Sequence, residues 1–363
     1  MSLKIAMIAR PNLFSVPGGD TVQITKTATA LIEIGVSVDV LTDSKINYSK
    51  YNLLHFFNII DPEDILGHIL KCNLPYVVST IYVDYKEYDK LHRKDALGVL
   101  SKIFPRDTIE YFKTLAKYIC KGEKVSTLKF FFKGHRKSIQ YILKNASLLL
   151  PNSESEYNRL EKDYKIKQKY IVVPNAIDPK LFKYDKQQER NIILCVARIE
   201  GRKNQLNVIR ALKDTSYKVI FIGAISPNQQ NYYKQCKAEA TANMQFFNFM
   251  NQEQLLDYYS KAKVHILASW FETTGLSNLE AGVMGCNLVV GRRGDVEEYF
   301  DNMVEYCEPD DLQSIRTAVE KSWNKDASST LQYKIFNNFT WKAAAKITHD
   351  EAYQIILSHD SIR

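Results

Sequence analysis

The chain has 363 residues, 45% of them hydrophobic and 25% charged, with a formal net charge of +8. That length suits two domains, each large enough for its own core, and the composition is that of a globular protein, not of a disordered or fibrous one. Six cysteines, at 72, 120, 195, 236, 286 and 307, form no CxxC pair, which argues against a disulfide framework and for reduced thiols in a cytoplasmic protein.

The first residues, Met1-Ser-Leu-Lys-Ile-Ala-Met-Ile-Ala9, lack the pattern of a signal peptide and read as a buried strand. No run approaches the roughly 20 apolar residues of a membrane span, so any membrane contact is expected to be peripheral. Further strands are predicted at 37–41, 53–57, 76–79, 147–150 and 170–173. A second series follows at 192–196, 218–222, 244–247, 264–268, 287–290 and 304–307. Helical stretches separate most of them. One covers Asp20–Ile34, with Asp20 as N-cap, apolar Ile24, Ala28, Leu31 and Ile32 on one face, and Gly35 as a stop. Another opens at Ser153 with a capping box to Glu156. Strands alternating with helices give βαβ units and parallel sheets. Two such series predict an α/β protein of two doubly wound, Rossmann-like domains facing a cleft.

The expected boundaries are 1–173 for the first domain and 174–340 for the second. A last helix, within 341–363, packs back onto the first domain. The first domain carries a basic helical insertion over about 85–146. Within it, Lys102–Lys137 holds ten Lys or Arg against three acids, a surplus of seven in a chain whose whole excess is eight. Phe, Tyr and Leu interleave those cations. Such a segment suits an anionic membrane surface, where each cation is worth about 1 kcal/mol; a solvated helical face reads equally well. No recognition motif accompanies the charge, so nucleic acid is not expected as a partner.

Ligands of open α/β sheets bind beyond the carboxyl ends of strands, which directs attention to three loops. The first is Gly18-Gly19-Asp20, between the first strand and helix, where backbone can approach a ligand or form a plain tight turn. It is not GxGxxG, so the nicotinamide fingerprint is missing. The second is Val196-Ala-Arg-Ile-Glu-Gly-Arg-Lys203, whose Arg198, Arg202 and Lys203 make either an anion site or a solvated basic turn. The third is Trp270-Phe-Glu-Thr-Thr-Gly-Leu-Ser-Asn-Leu-Glu280. Glu272 sits in this loop and Glu280 lies eight positions on, inside a helix that starts near Leu276. Helix N-termini favour a phosphate, Gly275 admits an anion to the backbone, and a carboxylate further in can accept bonds from a ribose diol. Acids near a helix start are also favoured by the dipole alone. No HExxH, CxxC pair or carboxylate cluster points to a metal.

Together these motifs resemble the retaining GT-B-fold glycosyltransferases of family four, the group 1 type. Glu272 and Glu280 match that family's paired glutamates, and Arg198 and Lys203 match its diphosphate-binding cations. Gly18-Gly19 matches the glycine pair of its first loop. Pro174-Asn-Ala-Ile-Asp178 with Phe182 resembles its interdomain segment, and Phe339-Thr-Trp341 its closing one. Tyr82 stands where the family often has histidine, Thr274 where an aromatic is usual, and Ala176 where it has glycine.

The resemblance implies transfer of a sugar from a nucleoside diphosphate sugar, with UDP or GDP as the nucleotide. The acceptor would be a hydroxyl of a glycan or lipid-linked molecule, in polysaccharide or lipopolysaccharide synthesis, with the anomeric configuration retained and neither metal nor cofactor. It implies catalytic roles for Arg198, Lys203 and Glu272, and donor contacts from Gly18, Gly19, Thr274, Gly275, Leu276 and Glu280. Tyr82, Asp84 and His55 are candidates on the acceptor side. The alternatives are a catalytically silent donor-binding subunit and a nucleotide-sugar hydrolase or epimerase of the same fold. A dehydrogenase lacks its fingerprint. The expected location is the cytoplasm, peripherally on the inner face of the plasma membrane.

Overall fold

A computed structural model describes residues 3–43, 45–93, 96–121, 127–182 and 189–360. Two compact units divide the chain. One comprises Met1–Tyr82, Lys94–Asn175 and Trp341–Arg363; the other comprises Val83–Arg93 and Ala176–Thr340. The expected first domain therefore loses Val83–Arg93 to the second unit. Sequence periodicity does not register that assignment, because it arises from side-chain grip on distant loops.

The first unit holds a parallel sheet of β1 (Lys4–Ile8), β2 (Ser37–Leu41), β3 (Leu53–Phe57), β4 (Tyr76–Ser79) and β5 (Leu148–Leu149), in the order β2-β1-β3-β4-β5. Residues of β3 and β4 are buried throughout, as fits a parallel sheet covered on both faces. The predicted strand 170–173 forms only an isolated bridge, Tyr170 to Leu149, although Ile171 and Val173 still donate to Leu149 and Pro151. The first helix spans Gly19–Glu33, and its N-cap is Gly18, not Asp20. Asp20 instead receives the Arg10 guanidinium at 2.6 Å. The helix Trp341–Ile347 packs on Gly19–Glu33.

Helix Glu154–Tyr164 is capped by Ser153, whose hydroxyl accepts from the Glu156 amide at 2.9 Å. The other half of the expected capping box is diverted. The Glu156 carboxylate accepts from the Asn152 and Tyr82 amides and from the Thr80 hydroxyl, and so fixes the chain leaving β4. The basic region forms helices Ala96–Ile103, Arg106–Lys121, Lys129–Lys133 and His135–Asn145. Glu123 and Lys124, counted in its charge, lie outside the described residues.

The second unit holds six parallel strands: β6 (Ile192–Val196), β7 (Lys218–Ile222), β8 (Met244–Phe247), β9 (Ala262–Leu267), β10 (Asn287–Gly291) and β11 (Glu305–Cys307). Their order is β11-β10-β9-β6-β7-β8. Alternate residues feed two cores, because strand side chains alternate faces. Ile192, Leu194, Ile220 and Ile222 enter one, and Ile193, Cys195, Val219 and Phe221 the other. Both cores consist of side chains under a tenth exposed, which leaves the strand ends, not the faces, for ligands.

Candidate active site

Counted from β6, the second sheet runs 3-2-1-4-5-6, the dinucleotide-fold order, with its reversal between β6 and β9. Crevices form at such reversals. The loops leaving β6 and β9 are the ones that carry Arg198–Lys203 and Glu272–Gly275.

These loops are tied to each other. The Trp270 amide donates to the Arg202 carbonyl at 3.0 Å. Buried Asn204, in the left-handed region at φ 62°, donates to the carbonyls of Ala268 at 2.9 Å and Pro309 at 2.7 Å. Glu272 is held by a third loop: its amide donates to Arg293, and its carbonyl accepts from Asp295 at 2.8 Å. Gly294 passes so close that a Cβ there would lie 1.9 Å from the Glu272 carbonyl oxygen.

Within this frame Lys203 and Glu272 form an ion pair, their side chains 17% and 8% exposed. Burial works most strongly to lower the Lys203 pKa, but Glu272, Tyr85 and Glu200 together outweigh it, and the net shift is upward. Lys203 is thus a fixed cation in a place largely closed to water. Arg198 differs: its side chain is 44% exposed and, among the described residues, its one acidic neighbour is Glu200 at 4.0 Å, which leaves it able to turn toward an anion.

Helix Leu276–Val283 begins at Gly275, whose φ of 68° suits glycine. The first amides of a helix lack intrahelical acceptors and carry the positive end of its dipole. Glu280 lies in the second turn, buried, and accepts from Gln252 at 2.6 Å and from the Tyr259 hydroxyl at 2.8 Å. Thr274 is fully buried, and its hydroxyl has no hydrogen-bond partner among the described residues. Lys203, Glu272, Thr274, Gly275, Leu276 and Glu280, with Arg198, therefore share one end of one sheet.

Other predicted residues fall elsewhere. Tyr82 is buried in the first unit and its hydroxyl donates to Asp163 at 2.6 Å. His55 is enclosed between the Tyr353 hydroxyl at 2.6 Å and Ser79 at 2.8 Å, and burial lowers its pKa to about 3. It is a neutral structural link to the C-terminal segment. Asp84 accepts from the Lys86 amide at 2.9 Å, just ahead of the short helix Lys86–Leu91. Gly18 and Gly19 begin the first helix, and a Cβ at Gly19 would meet nothing within 4 Å.

The first sheet has its own reversal, between β1 and β3. A recess there is lined by Arg10, Asn58, Asp61 and Asp64, with apolar Ile8, Ala9, Phe57 and Ile65. Sequence reasoning passed over these residues. Asp61-Pro-Glu-Asp64 follows a predicted strand, which was the available signal, but nothing in its spacing separates it from ordinary first-turn acids.

Two doubly wound parallel α/β units make up the GT-B fold. Residues 177–333 match the family of glycosyl transferases group 1. That segment makes up most of the second unit. A comparison with curated proteins gives no match. Among solved structures the chain is similar to sucrose-phosphate synthase from Thermosynechococcus elongatus (14% identity, TM-score 0.75, covering 98% of this chain and 100% of that one). It is also similar to a glycosyltransferase from Rickettsia africae (13%, 0.68, 98% and 99%). A third is Anabaena HepE in complex with UDP-glucose (15%, 0.68, 99% and 100%). At these identities the likeness shows the fold.

Proposed function

We propose that the protein transfers a sugar from a nucleoside diphosphate sugar to a hydroxyl of a glycan or lipid-linked acceptor, with retention at the anomeric carbon. The observation that carries this reading is the buried Lys203–Glu272 pair at the β6–β9 reversal, beside the helix start at Gly275. An ion pair so little exposed costs desolvation that a hydrophobic pair would avoid; a diphosphate binding site gives the cation a use. HepE's complexes with UDP and UDP-glucose favour a uridine donor here too.

In this mechanism Lys203, Arg198 and the amides of Gly275 and Leu276 stabilise charge on the leaving diphosphate. These side-chain cations already meet that charge, so no metal is required of the site. Glu280 accepts from the ribose hydroxyls, held in position by Tyr259 and Gln252. Glu272 orients a hydroxyl of the transferred sugar and stabilises its oxocarbenium-like state. The anomeric C–O bond to phosphate breaks and a C–O bond to the acceptor forms on the same face, while the acceptor's proton passes to the departing phosphate oxygen. The acceptor is assigned to the first unit. The setting is the cytoplasmic face of a membrane, supported by the exposed cations and apolar side chains of residues 97–120 and 127–137.

The test is kinetic, on Lys203→Ala and Glu280→Gln. Loss of one preorganised donor costs about a hundred- to a thousandfold in rate, so Lys203→Ala should lose turnover on that scale. Glu280→Gln should mainly weaken donor binding. Unchanged donor affinity and turnover in both variants, with folding verified by circular dichroism, would reject the site. Product analysis with donor alone separates transfer from hydrolysis.

A further inference from the structure

Val83–Arg93 follows β4 of the first sheet in sequence, yet belongs to the second unit. It is fastened at several points. Asp89 pairs with Arg202 at 3.3 Å, and Glu87 pairs with Arg293 at 3.2 Å. The His92 ring stacks on Trp270, with centroids 3.8 Å apart and planes at 25°. Tyr88 presses so closely on Gly201 that a Cβ there would sit 1.9 Å from the phenol oxygen. Each grip lands on a loop that leaves β6, β9 or β10. These are the loops that hold Lys203 and Glu272.

Tyr85 is what this clasp brings to the site. The Arg202 guanidinium lies 4.2 Å from the centre of its ring. Phe271, the residue before Glu272, meets the ring edge to face at 6.0 Å. Burial pushes the phenol's pKa up; Lys203 opposes the shift and Glu272 adds to it. The group stays protonated and neutral at ordinary pH. A neutral hydroxyl is poorly suited to a diphosphate, which Lys203 and Arg198 serve better, but it both donates to and accepts from a sugar hydroxyl.

We propose that Tyr85 is a donor-sugar specificity residue: its hydroxyl bonds a hydroxyl of the transferred sugar beside Glu272, and Val83–Arg93 is the clasp that positions it. The proposal rests on the reading of Lys203 and Glu272 as the donor site. Tyr82, an acceptor-side candidate from the sequence, is not available for this role, because its hydroxyl is engaged by Asp163.

The experiment compares a nucleotide sugar with its bare nucleoside diphosphate by calorimetric titration, using UDP-glucose with UDP and GDP-mannose with GDP. Removing one hydrogen bond weakens binding about threefold to tenfold. Tyr85→Phe should raise the Kd of the nucleotide sugar by that factor and leave the Kd of the diphosphate unchanged. Glu87→Gln, which loosens the clasp without entering the site, should give the same pattern more weakly. Lys203→Ala should weaken both ligands. If Tyr85→Phe weakens both ligands equally, or neither, the proposal is wrong while the donor site stands. If Lys203→Ala changes neither, or no ligand pair binds the wild type, the donor-site reading fails and takes this proposal with it.

Discussion

Asp64 sits where β1 and β3 part, among groups that pull its proton in opposite directions. Burial raises its pKa first, Glu63 and Asp61 raise it further, and Lys117 and Arg10 offset part of the rise, leaving it at about 8. The unfolded chain should titrate this group near its usual 3.8. Between those two values the folded protein binds the extra proton, so folding stability falls as pH rises through the window. The sign is opposite to that of a carboxylate stabilised by a salt bridge. Asp64→Asn removes the titration. Its melting temperature should decline less between pH 5 and pH 8.5 than that of the wild type, and should exceed it at the alkaline end. Parallel curves would mean that Asp64 is ionised in the native recess, with its charge met by Arg10.

At the level of elements, the site is a product of three loops that hold one another. Gly294 shows how tightly. Its φ is 110°, and a Cβ would collide with the carbonyl of Glu272. Gly294→Ala should therefore lose more than about 1 kcal/mol of stability, a fall in melting temperature of at least about 2–4 °C for a unit of this size. Turnover should fall with it, because the Glu272 loop must shift; a variant with normal melting and turnover would show that this contact is slack. The sequence makes much of this region legible. Glu272 and Glu280, the cations of the β6 loop and the helix start at Gly275 could be placed because each is local: a strand end, a charge and a turn residue within a dozen positions. Gly294, Asn204 and Tyr85 could not, since their importance lies in which distant backbone or ring they touch. Asp20 and Glu156 mislead for a related reason. Each has the spacing of a helix cap, but Asp20 is engaged by Arg10, and Glu156 by the loop after β4. Helical spacing records what a side chain can reach locally, and a longer-range partner of matching charge or hydrogen-bonding capacity can outbid it.

For the whole molecule, the question is why nearly all the excess positive charge is gathered in one region. In the first unit, helices Ala96–Ile103, Arg106–Lys121 and Lys129–Lys133 leave Ile103, Phe112, Ile119 and Phe132 well exposed, Phe132 at 93%. Lys102, Lys117, Lys129 and Lys137 are exposed in the same stretch of chain. Among the described residues no helix is long and apolar enough to cross a membrane. Exposed apolar side chains interleaved with cations are what an interfacial surface needs: the rings enter the headgroup boundary and the cations meet anionic lipid. A merely solvated face would need the cations but gains nothing from the rings. Co-sedimentation with phosphatidylcholine vesicles, with and without phosphatidylglycerol, separates the two. The protein should bind the anionic vesicles and leave the neutral ones, and binding should weaken between 50 and 500 mM salt, because screening shortens the reach of the lipid charge. Changing Lys102, Lys129 and Lys137 together to Gln removes about 3 kcal/mol of attraction, or about two orders of magnitude in partitioning. Phe132→Ser should weaken binding with little change in its salt dependence. If the wild type ignores anionic vesicles at low salt, the surface is a solvated one, and a lipid-linked acceptor would have to be met without help from the membrane.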